Sequence, residues 1–356
     1  MSRLRLFSLS DNHFSGELSI NFEKLKSLSI IDLANNNLHG KIPNSIGLSS
    51  LKKLILSNNR FDGEIPLSLQ NCSHVRSIDL SKNRLHGSLP SWIGVNVSSL
   101  FLLNLGSNNF KGIIPRHWCN LPLLQVLDLS NNNLWGEVPS CLYNCTLKYV
   151  LTMDLSRNKL SGEIPNDITK LIHLFTLNLS RNDLVGTIPQ NIGDMKQLEK
   201  LDLSYNHLSG RIPTSLASLN FLTHLNMSFN HFSGQIPTSN ELQTLDDPSI
   251  YQGNPSLCGS PLQTKCSNDE SMNSNPISTS DDDDNNNDNG SEMLGFYIGM
   301  SFGFPIGINI LFFTIYTNES RRRFYIRFID AVSLNILEKI GFLAIWLKRM
   351  RWRRSL

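Results

Sequence analysis

The sequence predicts an α/β-type repeat solenoid, a curved right-handed superhelix with a parallel sheet along its concave side, followed by one transmembrane helix. Three observations carry that prediction. Over residues 1–237 one pattern returns ten times: an apolar-x-apolar pair, two residues, an Asn, then x-Leu/Phe-x-Gly. Nine of the ten coils run on into Gly-x-(Ile/Leu/Val)-Pro. Much further along, Met293 to Tyr316 is a 24-residue stretch without a charge. A fixed period specifies stacked coils before any local structure is assigned. It also points away from catalysis, because solenoids present long concave surfaces.

The repeat asparagines are Asn12, Asn36, Asn59, Asn83, Asn108, Asn132, Asn158, Asn182, Asn206 and Asn230, spaced 24 residues apart with slips of one or two. The coil from Leu198 to Pro213 shows what each position does. Leu201 and Leu203 are two apart, so in a strand both point inward, leaving Asp202 and Ser204 to face outward. Asn206 falls where the chain turns back, and a buried amide there can satisfy backbone groups left unpaired by the turn. Stacked in register, the asparagines form a ladder. Gly210 suits the tight bend and Pro213 an extended segment that needs no donor. Leu216 and Leu219 fill the convex side. At about 4.8 Å per strand step, ten coils make a sheet on the order of 45 Å long. That is enough for a peptide, a glycan or a protein domain.

These positions resemble the plant-specific leucine-rich repeat, L-x-x-L-x-L-x-x-N-x-L-x-G-x-I-P, over residues 1–237. The residue just before each Asn reads Asp11, Asn35, Asn58, Lys82, Ser107, Asn131, Arg157, Arg181, Tyr205 and Phe229. The column is polar until its last two members, which are aromatic and adjacent. Exposed aromatics have no core to fill and dominate interface energetics. Packing of Tyr205 and Phe229 on each other or on a cap is the alternative. Membrane-proximal repeats of related receptors contact a co-receptor. The resemblance therefore makes Tyr205, Phe229, His224, Arg157 and Arg181 the candidate partner-binding set.

Six cysteines occur. Cys258 and Cys266 follow the last repeat, in a segment (238–266) that resembles the C-terminal cap of plant receptor-like proteins and receptor kinases. A small disulfide there would seal the end of the core. Cys119 and Cys141 lie at similar offsets in adjacent coils and are candidates for a second bridge, which spacing alone leaves open. Cys72 and Cys145 have no identified partner. No paired C-x-x-C with clustered histidines suggests a metal site, and no cofactor is implied. Six N-x-S/T sequons precede the uncharged stretch, at Asn71, Asn96, Asn144, Asn178, Asn226 and Asn289, and join the cysteines in favouring an oxidising, secretory compartment. Any whose side chain is masked would stay unmodified.

Residues 267–292 are rich in Ser, Asn and Asp, with Asp281 to Asp284, Asp288 and Glu292 making the end acidic. Such a segment cannot bury a core and reads as an extracellular spacer rather than a calcium site. At about 1.5 Å per residue, residues 293–316 span a bilayer core of roughly 30 Å. Arg321, Arg322 and Arg323 follow, which places residues 317–356 in the cytoplasm and the repeats outside. Gly295, Gly299, Gly303 and Gly307 line one helix face, suited to close approach of a partner helix, with Pro305 a kink nearby. The tail lacks a Gly-rich loop, catalytic-loop Asp and D-F-G motif. Its Phe328 to Leu347 stretch reads as an interfacial amphipathic helix before a basic anchor, with a second span as the alternative. The net charge of +2 hides this acidic-to-basic polarity. No Lys/Arg stripe with aromatics suggests nucleic acid.

Met1 to Leu6 leads straight into a repeat, without an apolar signal stretch or a cysteine-paired N-terminal cap. Only Leu134 to Val150 separates two motifs where many relatives carry an island. The chain thus looks like the membrane-proximal part of a plant receptor-like protein. The resemblance implies no enzyme activity and a plasma-membrane location. It also implies ligand or co-receptor binding outside the cell, and defence signalling through an adaptor receptor kinase. The alternatives are a truncated receptor kinase and a secreted repeat inhibitor of microbial wall-degrading enzymes.

Overall fold

The computed structural model describes residues 3–140, 149–237 and 247–266. Ten strands, from Leu6–Ser8 to His224–Asn226, form one parallel sheet in strict chain order. The register advances by one coil per strand, so Leu177 pairs with Leu201 and Leu201 with Leu225. These strands are three residues long, and in all but the first, where Phe7 is half-buried, the middle residue is buried and its neighbours turned out. The alternation of the motif produces this directly: Leu201 and Leu203 are each 1% exposed. Their counterparts in the other coils complete one continuous apolar column.

A second parallel sheet follows the asparagines. It has eight strands running from Ser15–Glu17 to Asp183–Val185, and a three-stranded continuation from Ser209–Gly210 through His231–Gln235 to Ser256–Cys258. The sequence reading assigned this stretch only a bend and an extended segment. Its signal was the period-two alternation of Leu208, Gly210 and Ile212, of which both apolar members are buried. The convex side is built from 3-10 turns that start after the repeat proline, as at Thr214–Ser218 behind Pro213. One short α-helix, Ile93–Asn96, occurs among the described residues. The α half of the expected α/β coil is thus a single tight turn, since few residues separate the proline from the next coil's leucine. Leu216 and Leu219 are buried beneath it.

The asparagine ladder is present and regular. Asn206 donates through Nδ2 to Leu203 O and Ser204 O within its own coil, and to Leu179 O of the coil before, at 3.0, 3.3 and 3.0 Å. Its Oδ1 accepts the Leu184 N–H at 3.1 Å. One side chain therefore closes its own turn and ties it to the preceding coil, satisfying groups the sheets cannot reach. Ser204 departs from its expected outward position. It is buried, and its Oγ donates to Asp202 Oδ1 at 2.7 Å, because the turn begins before the serine can face solvent.

The cap is a modified eleventh coil. Met227 N–H donates to Ile250 O at 2.8 Å and Phe229 N–H to Gln252 O at 2.7 Å, which extends the concave ladder beyond its last strand. Asn254 repeats the ladder pattern, with Nδ2 on Met227 O, Tyr251 O and Gln252 O and Oδ1 on the Phe232 N–H. Tyr251 takes the inward leucine position at 2% exposure, and burial pushes its phenol up to about 12. Cys258 and Cys266 are disulfide-bonded, as the cap resemblance implied. Cys119 is also disulfide-bonded, while its candidate partner Cys141 and also Cys145 lie outside the described residues. Cys72 is free and buried, and burial pushes its thiol up to about 11, away from reactivity. The acidic spacer, the uncharged stretch with Gly295, Gly299, Gly303 and Gly307, and the basic tail lie outside the described residues.

Candidate functional site

All ten residues that precede a repeat asparagine sit in the left-handed region, with φ between 53° and 58°. The turn out of each concave strand imposes this geometry. Backbone bonds on either side hold it, such as Tyr205 N–H to Ser228 O at 2.9 Å and Asn182 N–H to Tyr205 O at 3.2 Å. The conformation costs an L-residue about 1–2 kcal/mol, and least for Asn and Asp. Asp11, Asn35, Asn58 and Asn131 fit that preference. Arg157, Arg181, Tyr205 and Phe229 do not, so their side chains are kept at positions where the backbone favours something smaller.

Successive members of the column touch. Asn35 Nδ2 donates to Asp11 Oδ1 at 2.7 Å, and Asn58 Nδ2 to Asn35 Oδ1 at 2.9 Å. At the other end Tyr205 and Phe229 stack with centroids 4.4 Å apart and planes 19° apart. The Arg181 guanidinium carbon lies 4.1 Å over the Tyr205 ring. The far side of Phe229 rests on Gly253, where a Cβ would come within 2.7 Å of Phe229 Cδ1. Guanidinium, phenol, phenyl and a bare glycine thus form one continuous stack. The aromatics pack on each other and against the cap, and each remains 39% exposed. Cation–π contact at such a site is worth about 0.5–1 kcal/mol.

Arg157 occupies the next rung of the column beyond Arg181. His224 is not brought to the stack. It lies in the strand His224–Asn226 and Phe229 in the turn beyond it, five residues along an extended chain, and the His224 ring pairs instead with Thr223 Oγ1 at 3.0 Å. Two sequon asparagines, Asn178 and Asn226, stand within the concave sheet and accept from the Oγ of their own sequon serines, Ser180 and Ser228, at 2.8 Å. Asn71 and Asn96 are exposed on the convex side, and Asn144 and Asn289 lie outside the described residues. Among the described residues no group of three His, Cys, Asp or Glu side chains could hold a metal ion.

Two features of the surface were missed at the level of sequence. Asn254 follows Asn230 by the same 24-residue step, a signal obscured by the loss of the surrounding leucines. A carboxylate and amide row through Asp79, Asn104, Asp128, Asp154, Asn178, Asp202 and Asn226 also recurs at the repeat spacing. Each of these accepts the N–H two residues on when the next turn starts, as Asp128 does from Ser130 at 2.9 Å.

Two leucine-rich-repeat family models match the chain, one over residues 73–134 and the other over 27–48, 50–72, 149–171, 173–195, 197–219 and 221–246. The chain belongs to the leucine-rich-repeat family. Its solved relatives include plant receptor ectodomains and a plant ice-binding protein. It is 36% identical to the Arabidopsis receptor kinase HAESA in complex with the peptide hormone IDA and the co-receptor SERK1. That match covers 73% of this chain and 43% of HAESA, with a TM-score of 0.67. It is 34% identical to the plant peptide hormone receptor RGFR1 in complex with RGF2, covering 66% and 38%, with a TM-score of 0.64. A plant ice-binding protein is 30% identical, covering 73% and 83%, with a TM-score of 0.65. No curated protein sequence matches the chain. The leucine-rich-repeat chain spans less than half the length of these two receptors.

Proposed function

We propose that this leucine-rich-repeat protein is a cell-surface receptor-like protein of plants. Its solenoid binds an extracellular ligand and a co-receptor kinase ectodomain. Residues 293–316 cross the plasma membrane, with the basic segment after them on the cytoplasmic side. Signalling then depends on partner receptor kinases, one of them an adaptor held through the Gly295–Gly307 helix face, in defence against microbes. Likeness to receptor ectodomains solved with peptide hormones, and in one case with a co-receptor, supports binding of both kinds of partner.

The single observation that carries the reading is the exposed Arg181–Tyr205–Phe229 stack beside the cap. A stack kept in the left-handed region serves the fold less well than asparagines would. Aromatic and arginine side chains are also the residues that most often anchor interfaces. The test is titration of the purified chain with a co-receptor ectodomain, ligand present. Changing Tyr205 and Phe229 to Ser weakens binding by about 2 kcal/mol or more, roughly 30-fold, if they form the interface centre. Unchanged affinity removes the stack from the interface.

A further inference from the structure

Far from the stack, the residue just before each of the first four concave strands is Arg5, Ser29, Lys52 and Arg76. Backbone bonds seat them one coil apart. The N–H groups of Ser29, Lys52 and Arg76 each donate to the carbonyl of the member before, at 2.9, 2.7 and 2.8 Å. Two residues earlier in their coils stand Ser27, Ser50 and His74. All of these but Arg76, together with Ser49, line one open pocket of about 510 Å³.

The lining has a single chemical character. Arg5 and Lys52 bring positive charge, His74 a ring nitrogen and the serines their hydroxyls, while no Asp, Glu or apolar side chain takes part. Among the described residues Arg5, Lys52 and Arg76 form no ion pair. Like charges gathered without a counter-charge repel one another, and an arriving anion relieves that repulsion. Ser29 Oγ donates to Arg5 O at 3.1 Å and Ser50 Oγ to Leu28 O at 2.6 Å, so both oxygens can still accept. Ser73 Oγ holds His74 Nδ1 at 3.1 Å, which leaves Nε2 open. Among the described residues the hydroxyls of Ser27 and Ser49 have no hydrogen-bond partner.

A ligand suited to this lining carries carboxylates and hydroxyls together. Sugar acids do, with both groups on the same ring. An acidic peptide brings carboxylates, but its apolar side chains would meet nothing here and the hydroxyls would be left to water. A neutral glycan would leave the cations unpaired. We propose that the pocket binds a linear acidic oligosaccharide built of uronic acid units. Arg5 takes one carboxylate through the paired donors of its guanidinium, and Lys52 takes another. These two positions are two coil steps apart, about 10 Å at roughly 4.8 Å per step, so the carboxylates belong to different sugars. Ser27 and Ser49 bind the ring hydroxyls, and Arg76 continues the row one step beyond Lys52. The pocket shares no residue with the Arg181–Tyr205–Phe229 stack and needs no co-receptor, so it extends the function proposed above without depending on it.

The test uses the full chain in neutral detergent and a dye-labelled tetragalacturonate, read by fluorescence anisotropy. Maltotetraose and a Glu-Glu-Glu-Glu peptide with the same dye are the comparisons. The expected result is that tetragalacturonate binds roughly tenfold tighter than either, about what one charge-assisted contact contributes, and that added salt weakens it. Arg5→Gln with Lys52→Gln lowers its affinity by roughly tenfold or more. Ser27→Ala with Ser49→Ala also weakens it but leaves the glutamate peptide unchanged, which separates sugar recognition from charge alone. Equal affinity for maltotetraose overturns the proposal, as does indifference to either double substitution in a chain of unchanged circular dichroism. A glutamate peptide that binds as tightly as the uronate overturns it in favour of an acidic peptide. The Tyr205/Phe229 serine variant keeps its uronate affinity while losing the co-receptor. Lost uronate affinity in that variant, with its fold intact, contradicts a separate site.

Discussion

Asn230 accepts the Leu208 N–H through its Oδ1 at 3.0 Å, a bond that crosses from one coil to the one before it. The same relation links Asn158 to Leu134 and Asn254 to Phe232. It turns a stack of marginal coils into one body, because no coil can satisfy its own turn alone.

Replacing Asn158 by Leu takes the acceptor from the Leu134 N–H and one donor from each of Leu129 O, Leu155 O and Ser156 O, which keep Asn132, Asn182 and the Asn131 N–H. The expected loss is about 3 kcal/mol or more in denaturant unfolding. Asn12, whose side chain bonds only within its own exposed coil, is the control. Asn12→Leu is expected to cost less than about 1 kcal/mol. Equal losses at the two positions would refute the ladder as the source of cohesion.

Asp128 supplies a pH test. Its folded pKa lies above the ordinary carboxylate value, chiefly through burial, so folding disfavours its ionised form. Asp128→Asn keeps the acceptor for Ser130, as Asn104 does for Gly106. The variant is expected to melt higher than the parent at neutral pH. That advantage shrinks as pH falls into the carboxylate range, where Asp128 is protonated in both states. A constant difference from pH 7 to pH 3 would mean that ionisation plays no part.

The sequons divide by geometry. Ser180 and Ser228 are 6% and 5% exposed and bonded to the very asparagines a glycan would need, while Asn71 and Asn96 stand clear. Glycopeptide mass spectrometry of the secreted repeats is expected to find sugar at Asn71 and Asn96 and none at Asn178 and Asn226. Sugar on Asn178 or Asn226 would mean that the serine contact does not shield the acceptor amide.

If residues 293–316 form the proposed membrane helix, Gly299→Leu with Gly303→Leu is expected to reduce co-immunoprecipitation of an adaptor kinase without loss from the membrane fraction. Association that survives both changes would reassign those glycines to the lipid-facing background.

The period alone makes most of the fold legible. Leucine spacing fixed the concave strands, and Asn206 was placed at the turn because only an amide serves both donors and acceptors there. The second sheet was read as bend and extension because Gly210 and Pro213 are poor strand residues. Ser204 was placed outward by strict alternation, which fails where φ turns positive at Tyr205. The stack was half legible. Adjacency of Tyr205 and Phe229 follows from the period, but the seat on Gly253 depends on a cap whose leucines have been replaced. His224 lies exposed on the concave strand, whereas Phe229 stands in the turn beyond it, a split that period alone does not show.

The most direct measurement pairs two readouts on Tyr205→Asn with Phe229→Asn. Asparagine tolerates the left-handed turn better than either aromatic, so the backbone gains about what the lost stacking removes. If the stack exists for binding, the variant's melting temperature stays within a few degrees of the parent's while co-receptor affinity falls roughly 30-fold. The contrary result is a variant that melts far lower yet binds the co-receptor as tightly as the parent. The stack would then be part of the cap, and the partner surface would lie elsewhere on the solenoid.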